Sequence, residues 1–253
     1  MPMIRRFLSI LILLSGTFSA LEAQNYEIPR LTNHQHILEI KHSAYTCFFS
    51  TEKLTPVCVA WCLTPDRING STKRTDFFDV DPAVKDERYR VMHSDYSGSH
   101  YDRGHMCPAA DNRQSLKAMT ECFYMTNMCP QHHALNVGGW NALEIQCRSW
   151  ARNYKKIYVC AGPIYNSTPP RTIGKKRKIA VPDAFYKVVL MKGKTTKAIG
   201  FIYKNEDAKT SIRSHAVSVD QVERTTGIDF FSQLDDAVEK KVESECNPSA
   251  WNI

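Results

Sequence analysis

The order of strand-like and helix-like segments is the feature of this sequence that most constrains its fold. Apolar residues recur at three- and four-residue spacing over residues 135–155, which predicts one long amphipathic helix. Strand-like runs lie on both sides of that helix, at residues 36–50, 56–63, 156–161, 184–191 and 198–203. Strands and helices do not alternate as they do in a doubly wound sheet, which favours the α+β class. We predict an α+β fold with a mixed or antiparallel central sheet and flanking helices.

The remaining segments are shorter and their patterns are weaker. Residues 123–127 predict another strand, while the turn-rich residues 94–100 predict that the following stretch begins in a loop. Short helices are predicted at residues 115–122, 217–226 and 231–242.

The charge balance of the chain favours acidic partners. There are 33 Lys and Arg against 26 Asp and Glu, a formal net charge of +7. Such a balance favours encounters with polyanions without establishing them. Hydrophobic residues make up 43% of the chain, which is enough for a packed core and excludes a wholly disordered protein.

The first 23 residues have the organisation of a cleavable secretory signal. Arg5 and Arg6 precede a short apolar run at residues 7–14, and small residues lead up to Ala23. That run is too short for a bilayer core of ~30 Å, and no later stretch is long enough, so no membrane span is expected. We predict a signal peptide over 1–23, a single domain over 24–253, and a secreted or periplasmic location.

Nine cysteines follow the predicted signal. An exported chain meets an oxidising environment, so disulfides are expected, and an odd number leaves at least one thiol free or paired between chains. The alternative is a zinc site that combines Cys58 and Cys62 with Cys122 or Cys129 and with the adjacent histidines 132 and 133.

A cluster of chemically capable residues follows the turn-rich stretch. Asp102, Arg103, Gly104 and His105 place a carboxylate, a guanidinium and an imidazole within four residues. An imidazole with an ordinary pKa near ~6.5 can accept a proton from water at neutral pH. An arginine can hold a phosphate through its planar fork of donors. These four residues are candidates for phosphate chemistry, although a surface turn can also carry them.

A second cluster lies about thirty residues later, on the predicted long helix. Asn136, Glu144 and Arg148 are separated by eight and four residues, so they can project to one side of a helix. An amide oxygen suits Mg²⁺, which prefers oxygen ligands and keeps several waters. The alternative is that Asn136 is a helix N-cap and that Glu144 and Arg148 form a surface ion pair.

Together these motifs resemble the DNA/RNA non-specific endonucleases of the ββα-metal, or His-Me finger, type, which include endonuclease G. The resemblance covers roughly residues 45–231. Its core is residues 101–111 (YDRGHMCPAAD), 123–127 (FYMTN) with Pro130 and Gln131, and 136–148, with weaker similarity at 161–164 and 181–189. Cys107 and Cys129 depart from the small or apolar residues expected at their positions.

The resemblance implies a role for each candidate residue. His105 would be the general base, Asn136 the only direct protein ligand of Mg²⁺, and Glu144 the group that orients the waters of the ion. Arg103 and Arg148 would hold the phosphate. Three further residues belong to the predicted site: Asn127, which steadies it, Asp102, and an upstream phosphate-contacting residue, which is Arg74 or its neighbour Lys73.

The resemblance also implies an activity. We expect an endonuclease that depends on Mg²⁺, with Mn²⁺ as a substitute, and cleaves DNA and RNA to leave 5′-phosphate ends. Two other classes stay open: a polyanion-binding protein without turnover, and a cysteine hydrolase. The sequence also leaves open whether the chain is a monomer or a homodimer, and whether the basic run at residues 175–178 extends the binding surface or is a solvated loop.

Overall fold

A seven-stranded antiparallel sheet forms the centre of the protein. The structure is a computed structural model and describes residues 24–206 and 211–253. Within these residues the strands are Arg30–Leu31 (β1), Ile37–Lys41 (β2), Thr46–Ser50 (β3), Thr55–Leu63 (β4), Asp102–His105 (β5), Met128–Gln131 (β6), Ile157–Ile164 (β7), Thr172–Ile173 (β8), Ile179–Ala180 (β9), Ala184–Met191 (β10), Lys197–Lys204 (β11), Ala216–Val217 (β12) and Ile228–Asp229 (β13). The sheet order is β12-β11-β10-β7-β4-β3-β2, with every neighbouring pair antiparallel. The predicted α+β class is confirmed.

Helices cover both faces of this sheet. They are Pro65–Asn69 (α1), Leu116–Cys122 (α2), His133–Leu135 (α3), Asn141–Tyr154 (α4), Val219–Thr226 (α5) and Asp236–Ser244 (α6). Short 3-10 turns occur at Glu87–Tyr89, His93–Tyr96, Ala109–Asp111, Met125–Asn127, Ile212–His215 and Pro248–Trp251. A π-helical turn, Asn136–Trp140, joins α3 to α4, and Gly138 within it leaves the helical range with φ −97° and ψ −110°. The long helix predicted over 135–155 is thus present, but it is kinked at a pair of glycines.

The two faces of the sheet belong to two separate cores. Successive side chains of a strand point to opposite faces, so neighbours in β10 enter different cores. Phe185 packs in the core that contains Leu143 of α4, whereas Tyr186 packs with Val222 of α5 and Val242 of α6. A fully buried side chain of this size contributes ~1.5–3 kcal/mol to folding. The central strands are therefore apolar on both faces, and α4 lies on the opposite face from α5 and α6.

Three local expectations are wrong: local turns replace or interrupt two predicted strands, and non-local pairing turns one expected loop into a strand. Residues 123–127 do not form a strand: the Asn127 N–H donates to the Tyr124 carbonyl over 2.9 Å and closes the turn Met125–Asn127. The loop expected at residue 102 is instead β5, which pairs with β6 more than twenty residues later. The predicted 36–50 strand is also interrupted, by a turn in which the His42 N–H donates to the Tyr45 carbonyl over 2.9 Å.

All nine cysteines are free thiols, so the expected disulfides are not formed. Seven are buried, Cys62 is half-buried and Cys246 is exposed. Burial raises the pKa of Cys107 and of Cys147 to about 12. Because the protonated thiol is a poor nucleophile, these thiols are not suited to a cysteine hydrolase. The zinc alternative also fails, since among the described residues no cluster of three potential ligands includes a cysteine or a histidine.

None of the helices in residues 24–206 and 211–253 is long and apolar enough to cross a membrane. The predicted signal peptide, residues 1–23, lies outside the described residues.

Candidate active site

Strands β5 and β6 form a small antiparallel pair that presents the first motif. In its register Asp102 lies opposite Gln131, and His105 lies opposite Met128. A side chain at Gly104 would not fit here, because a Cβ at that position would lie 2.6 Å from the Gln131 Cβ atom, which cannot move aside without its backbone. The helix α3 begins two residues after β6, so the chain forms a strand, strand and helix unit. This unit brings Arg103 and His105 beside the helix that carries Asn136.

These elements surround a cleft of about 660 Å³. Seven of the eight candidate site residues line it, namely Arg74, Asp102, Arg103, His105, Asn136, Glu144 and Arg148. The eighth, Asn127, is fully buried and does not line the cleft. Residues that are 74 positions apart in the chain therefore share one cavity, which no single local motif could produce.

The His105 ring occupies an apolar corner of this cleft. It lies edge-on against the Phe123 ring at 4.9 Å between centroids, with Phe78 at 5.7 Å. Its Nε2 atom is buried and has no hydrogen-bond partner within the described residues. Burial, with the charges of Arg74 and Arg103, lowers the pKa of His105 to about 3. The imidazole is therefore neutral at pH 7 and its nitrogen is not committed to another protein group.

The three arginines of the cleft are held in different ways. The Arg103 guanidinium lies 4.2 Å from the centroid of the Phe78 ring and forms no ion pair within the described residues. Arg74 Nε donates to Asp76 Oδ1 over 2.6 Å, and this arginine is exposed enough for its pairing to be weak. Arg103 is thus the cation whose donors are all available to an anion.

The third cation, Arg148, is held at the back of the cleft. Its Nη1 atom lies 3.2 Å from Asp111 Oδ1, and both side chains are largely buried. The other oxygen of the Asp111 carboxylate accepts a bond of 3.1 Å from the Trp61 indole. The surface ion pair that sequence reasoning offered for Glu144 and Arg148 is therefore not formed.

Asn136 is oriented by the first motif. Its Nδ2 donates to Asp102 Oδ2 over 2.8 Å, and the same carboxylate oxygen lies 2.8 Å from His133 Nδ1. A carboxylate can only accept hydrogen bonds, so the amide must turn its NH₂ group toward Asp102 and leave Oδ1 free. Asn136 has helical backbone angles and is not an N-cap. The N-cap alternative is wrong, and Asp102 acts here by positioning Asn136.

Glu144 lies in the same cleft and makes no hydrogen bond within the described residues. Burial raises its pKa to about 7, while the positive charges of Lys187 and Arg148 act in the opposite direction. Lys187 is almost fully buried in β10, with its Nζ atom 4.3 Å from the Trp140 ring centroid. It places a positive charge beneath the cleft.

Sequence reasoning missed Lys187, Asp111 and Phe78. Lys187 was detectable, because it interrupts the otherwise apolar strand AFYKVVLM and a lysine is rarely buried without a reason. Asp111 stands at the end of the YDRGHMCPAAD motif, but only the fold brings it to Arg148. Phe78 carried no signal, since its contact with the Arg103 side chain depends on a loop.

The donors of the cleft fit a hydrated hard cation. Mg²⁺ prefers oxygen ligands and keeps several waters. The free Oδ1 of Asn136 and the carboxylate of Glu144 are oxygen donors of this cleft that are available without breaking a protein hydrogen bond. Neither a thiol nor a further carboxylate competes with these two on the helix side of the cleft. The residues therefore suit magnesium better than zinc.

The buried Asn127 side chain bonds to backbone groups next to the cleft. Its Oδ1 accepts from the Cys107 N–H over 2.9 Å, and its Nδ2 donates to the Cys107 and Cys122 carbonyls over 2.9 and 2.8 Å. In addition, its own carbonyl accepts from the Met106 N–H over 3.0 Å. This amide thus fixes the chain that follows His105 to the end of α2, and it acts on the site through backbone position.

We expect Asn127→Ala to destabilise the protein strongly. Three buried backbone groups would lose their partner, and each unsatisfied group costs ~1–3 kcal/mol. The free energy of unfolding should fall by about 3 kcal/mol or more in urea denaturation followed by circular dichroism. Asn166→Ala, which alters an exposed side chain, is the control and should unfold like the wild type. Equal stabilities of both variants would show that the Asn127 clamp is energetically unimportant.

A strand pair followed by a helix, with a histidine, arginines and an amide oxygen facing one cleft, defines a nuclease of the ββα-metal class. A sequence profile of the DNA/RNA non-specific endonuclease family matches residues 23–237. The chain therefore belongs to the DNA/RNA non-specific endonuclease family, an enzyme family that acts on nucleic acids. The family resemblance found in the sequence is confirmed.

Individual relatives agree with this assignment. The chain is 34% identical over 203 residues to the mitochondrial nuclease EXOG of Xenopus laevis, covering 74% of this chain and 56% of that protein. It is 35% identical over 189 residues to human mitochondrial endonuclease G, covering 68% of this chain and 62% of the relative. The chain thus spans little more than half the length of these relatives. A chain in the crystal structure of the EndoG/EndoGI complex superposes with a TM-score of 0.72 and 30% identity, covering 79% of this chain and 87% of the other.

The predicted location is wrong in the light of these relatives. Both EXOG and endonuclease G are named as mitochondrial nucleases, which points to a mitochondrial and not a secreted or periplasmic location. An apolar run preceded by arginines was read as a secretory signal, and such a pattern does not by itself distinguish the destination of a targeting segment.

Proposed function

We propose that this protein is a Mg²⁺-dependent endonuclease that hydrolyses phosphodiester bonds of DNA and RNA with little base preference. One observation carries the proposal. A neutral histidine with a free ring nitrogen, an unpaired arginine and an unused amide oxygen line the same cleft. These groups are the ones that phosphodiester hydrolysis needs, namely a proton acceptor, a phosphate holder and an oxygen ligand for a cation.

His105 would accept the proton of the attacking water. Water oxygen then bonds to phosphorus, the bond to the 3′ oxygen breaks, and that oxygen takes a proton from solvent. The products are a 5′-phosphate and a 3′-hydroxyl. Arg103 would hold a non-bridging phosphate oxygen through its unpaired guanidinium, and Arg74 would approach from the outer wall of the cleft. As the phosphate offsets the charges of these arginines, the pKa of His105 would rise when substrate binds, which makes the imidazole a stronger base.

Asn136 would hold Mg²⁺ through Oδ1, and Glu144 would hold the waters around the ion. The bound ion would supply positive charge to stabilise the phosphate in the transition state. Asp102 keeps the Asn136 amide turned with its oxygen free, and Lys187 favours the ionised form of Glu144. Mn²⁺ should substitute, because it also accepts oxygen ligands.

Little preference for particular bases follows from the kind of contact that the cleft can make with nucleic acid. Phosphate contacts position a nucleic acid without reading its bases, and both DNA and RNA present phosphates. Binding through arginines should weaken steeply as salt increases. We therefore propose both nucleic acids as substrates.

Plasmid nicking with and without EDTA tests the proposal. Purified full-length protein should convert supercoiled plasmid to open-circular and linear forms with Mg²⁺ or Mn²⁺, and EDTA should abolish the conversion. The cut ends should be substrates for ligase without prior phosphorylation, as 5′-phosphate ends are. A protein that binds the plasmid but never cuts it would support the polyanion-binding alternative. Inhibition by iodoacetamide with resistance to EDTA would support a cysteine hydrolase, and either result would overturn the proposal.

A further inference from the structure

A group of carboxylates lies on the other side of the sheet from the cleft, between α5 and α6. Carboxylate oxygens of Asp220, Glu223 and Glu243 lie within 4.8 Å of one another. The first two are on α5 and the third is on α6, and both helices pack on the core of the opposite sheet face. The proposed nuclease chemistry uses none of these residues.

The surroundings of the three carboxylates leave their charge largely uncompensated. Two further acids, Asp229 and Glu239, add to the negative potential at Glu243. Of the nearby cations, Arg224 approaches Asp220 only to 4.0 Å and is mostly exposed. Arg30 is bound to Asp229 at 2.6 Å. Burial, together with the repulsion of the neighbouring acids, raises the pKa of Glu223 to about 7 and that of Glu243 to about 9.

Glu243 provides a second observation, independent of the clustering. Glu243 is only 5% exposed, and its Oε1 atom is buried without any hydrogen-bond partner in the described residues. Glu223, in contrast, has a partner, since its Oε1 accepts from the Phe230 N–H over 2.8 Å. Burial of an unpaired carboxylate is costly unless something neutralises it. Glu243 thus brings to the cluster a buried carboxylate that has an unpartnered oxygen and is available as a ligand.

We propose that Asp220, Glu223 and Glu243 form a binding site for a hard divalent cation, Ca²⁺, that ties α5 to α6. Carboxylate oxygens are the ligands that this ion prefers. Two ligands of one ion lie at most twice the metal–oxygen distance apart, which is about 4.6–5.2 Å for Ca²⁺ and about 4.0–4.2 Å for Mg²⁺. The three oxygens lie close enough to share one ion. Three protein carboxylates in flexible geometry suit Ca²⁺, which takes six to eight oxygen ligands, better than Mg²⁺, which keeps several of its waters. The site is separate from the cleft and does not depend on the nuclease proposal.

Thermal unfolding with and without Ca²⁺ tests this site. The protein is stripped with EDTA, dialysed, and studied without nucleic acid in an Asn136→Ala background, so that the cleft does not contribute a cation site. At a hundredfold excess over the dissociation constant, Ca²⁺ should raise the Tm by about 5–10 °C. Glu243→Gln keeps the shape of the side chain and should abolish the rise. Asp220→Asn provides the same test at a more exposed position if Glu243→Gln does not fold.

Glu245→Gln is the matched control, because it removes an exposed charge from the chain just after α6 and should keep the full Ca²⁺ effect. Isothermal titration should give one Ca²⁺ per chain in the Asn136→Ala background, and none after Asp220→Asn. No Ca²⁺ effect on the parent protein would overturn the proposal and leave Glu243 as a carboxyl that is simply protonated. A Tm rise with Mg²⁺ and none with Ca²⁺ would overturn the choice of ion.

Discussion

We expect His105→Ala to lower turnover by ~10²–10⁴-fold, the range typical of a positioned general base. Its binding of nucleic acid should change little, because Arg74, Arg103 and Arg148 remain in the cleft. The measurement is the single-turnover cleavage rate of a labelled duplex at saturating enzyme, with the binding constant measured in EDTA. His34→Ala alters an exposed histidine outside the cleft and is the control.

The pH dependence adds a second readout for His105. The lowered pKa keeps the imidazole neutral in the free enzyme well below pH 6.5, so kcat/KM should not fall between pH 7 and pH 6 through protonation of this group.

The lowered pKa of His105 also makes the stability of the folded protein depend on pH. Since the unfolded chain binds the proton at about pH 6.5 and the folded chain only near pH 3, the stability contributed by His105 is lost as pH falls below 6.5. His105→Gln should therefore be less sensitive to acid than the wild type. A folded His105→Ala protein that cuts at a near-normal rate would remove His105 from the mechanism.

Substitution of Asn136 should have the other large effect. Asn136→Ala removes the only direct protein oxygen proposed for the cation, so cleavage should be abolished at ordinary Mg²⁺ concentrations. Glu144→Ala should be milder, at ~10–100-fold, because Glu144 would act through the waters of the ion. Asn136→Asp adds a negative charge and should bind Mg²⁺ or Mn²⁺ more tightly while cutting slowly, since the added charge repels the phosphate.

Loss of the cation site and loss of the base can be told apart by varying the Mg²⁺ concentration. Cleavage rate is measured against Mg²⁺ concentration for Asn136→Ala, Asn136→Asp and Glu144→Ala, with circular dichroism as the check on folding. Glu144→Ala should recover part of its activity at high Mg²⁺, whereas His105→Ala should not. If Asn136→Ala kept the wild-type rate and metal dependence, the cation would bind elsewhere and the proposed role of the helix would be lost.

Periodic patterns predicted the parts of the fold that local sequence determines. The apolar spacing over 135–155 gave the long helix, and the β-branched runs at 184–191 and 198–203 gave β10 and β11 nearly to the residue. The strand character of Asp102–His105 could not be predicted, because it exists only through pairing with Met128–Gln131. The kink at Gly138 was also hidden, since periodicity reports the face of a helix and not the path of its axis.

The residues that line the cleft were easier to predict than the pairing of β5 or the kink at Gly138, because family-specific motifs specify residue types at fixed spacing. What those motifs lacked was the partner of each residue. Arg148 pairs with Asp111 and not with Glu144, and Asn136 bonds to Asp102 and is not a helix N-cap. Both corrections come from contacts between distant segments. The cysteine count was misleading for a different reason: the prediction assumed an oxidising compartment, and thiols buried in a packed core need no bridge to be stable.

The positive potential of the cleft has two kinds of source, the exposed Arg74 and the buried Lys187. Mobile ions reach the exposed Arg74 and screen it, but they cannot enter between the Trp61 and Trp140 rings that enclose the lysine Nζ atom. High ionic strength therefore weakens the influence of Arg74 on the cleft, while the influence of Lys187 on Glu144 persists. For the proposed nuclease, we therefore expect high salt to slow the encounter with nucleic acid more than it slows cleavage of a phosphodiester that is already bound.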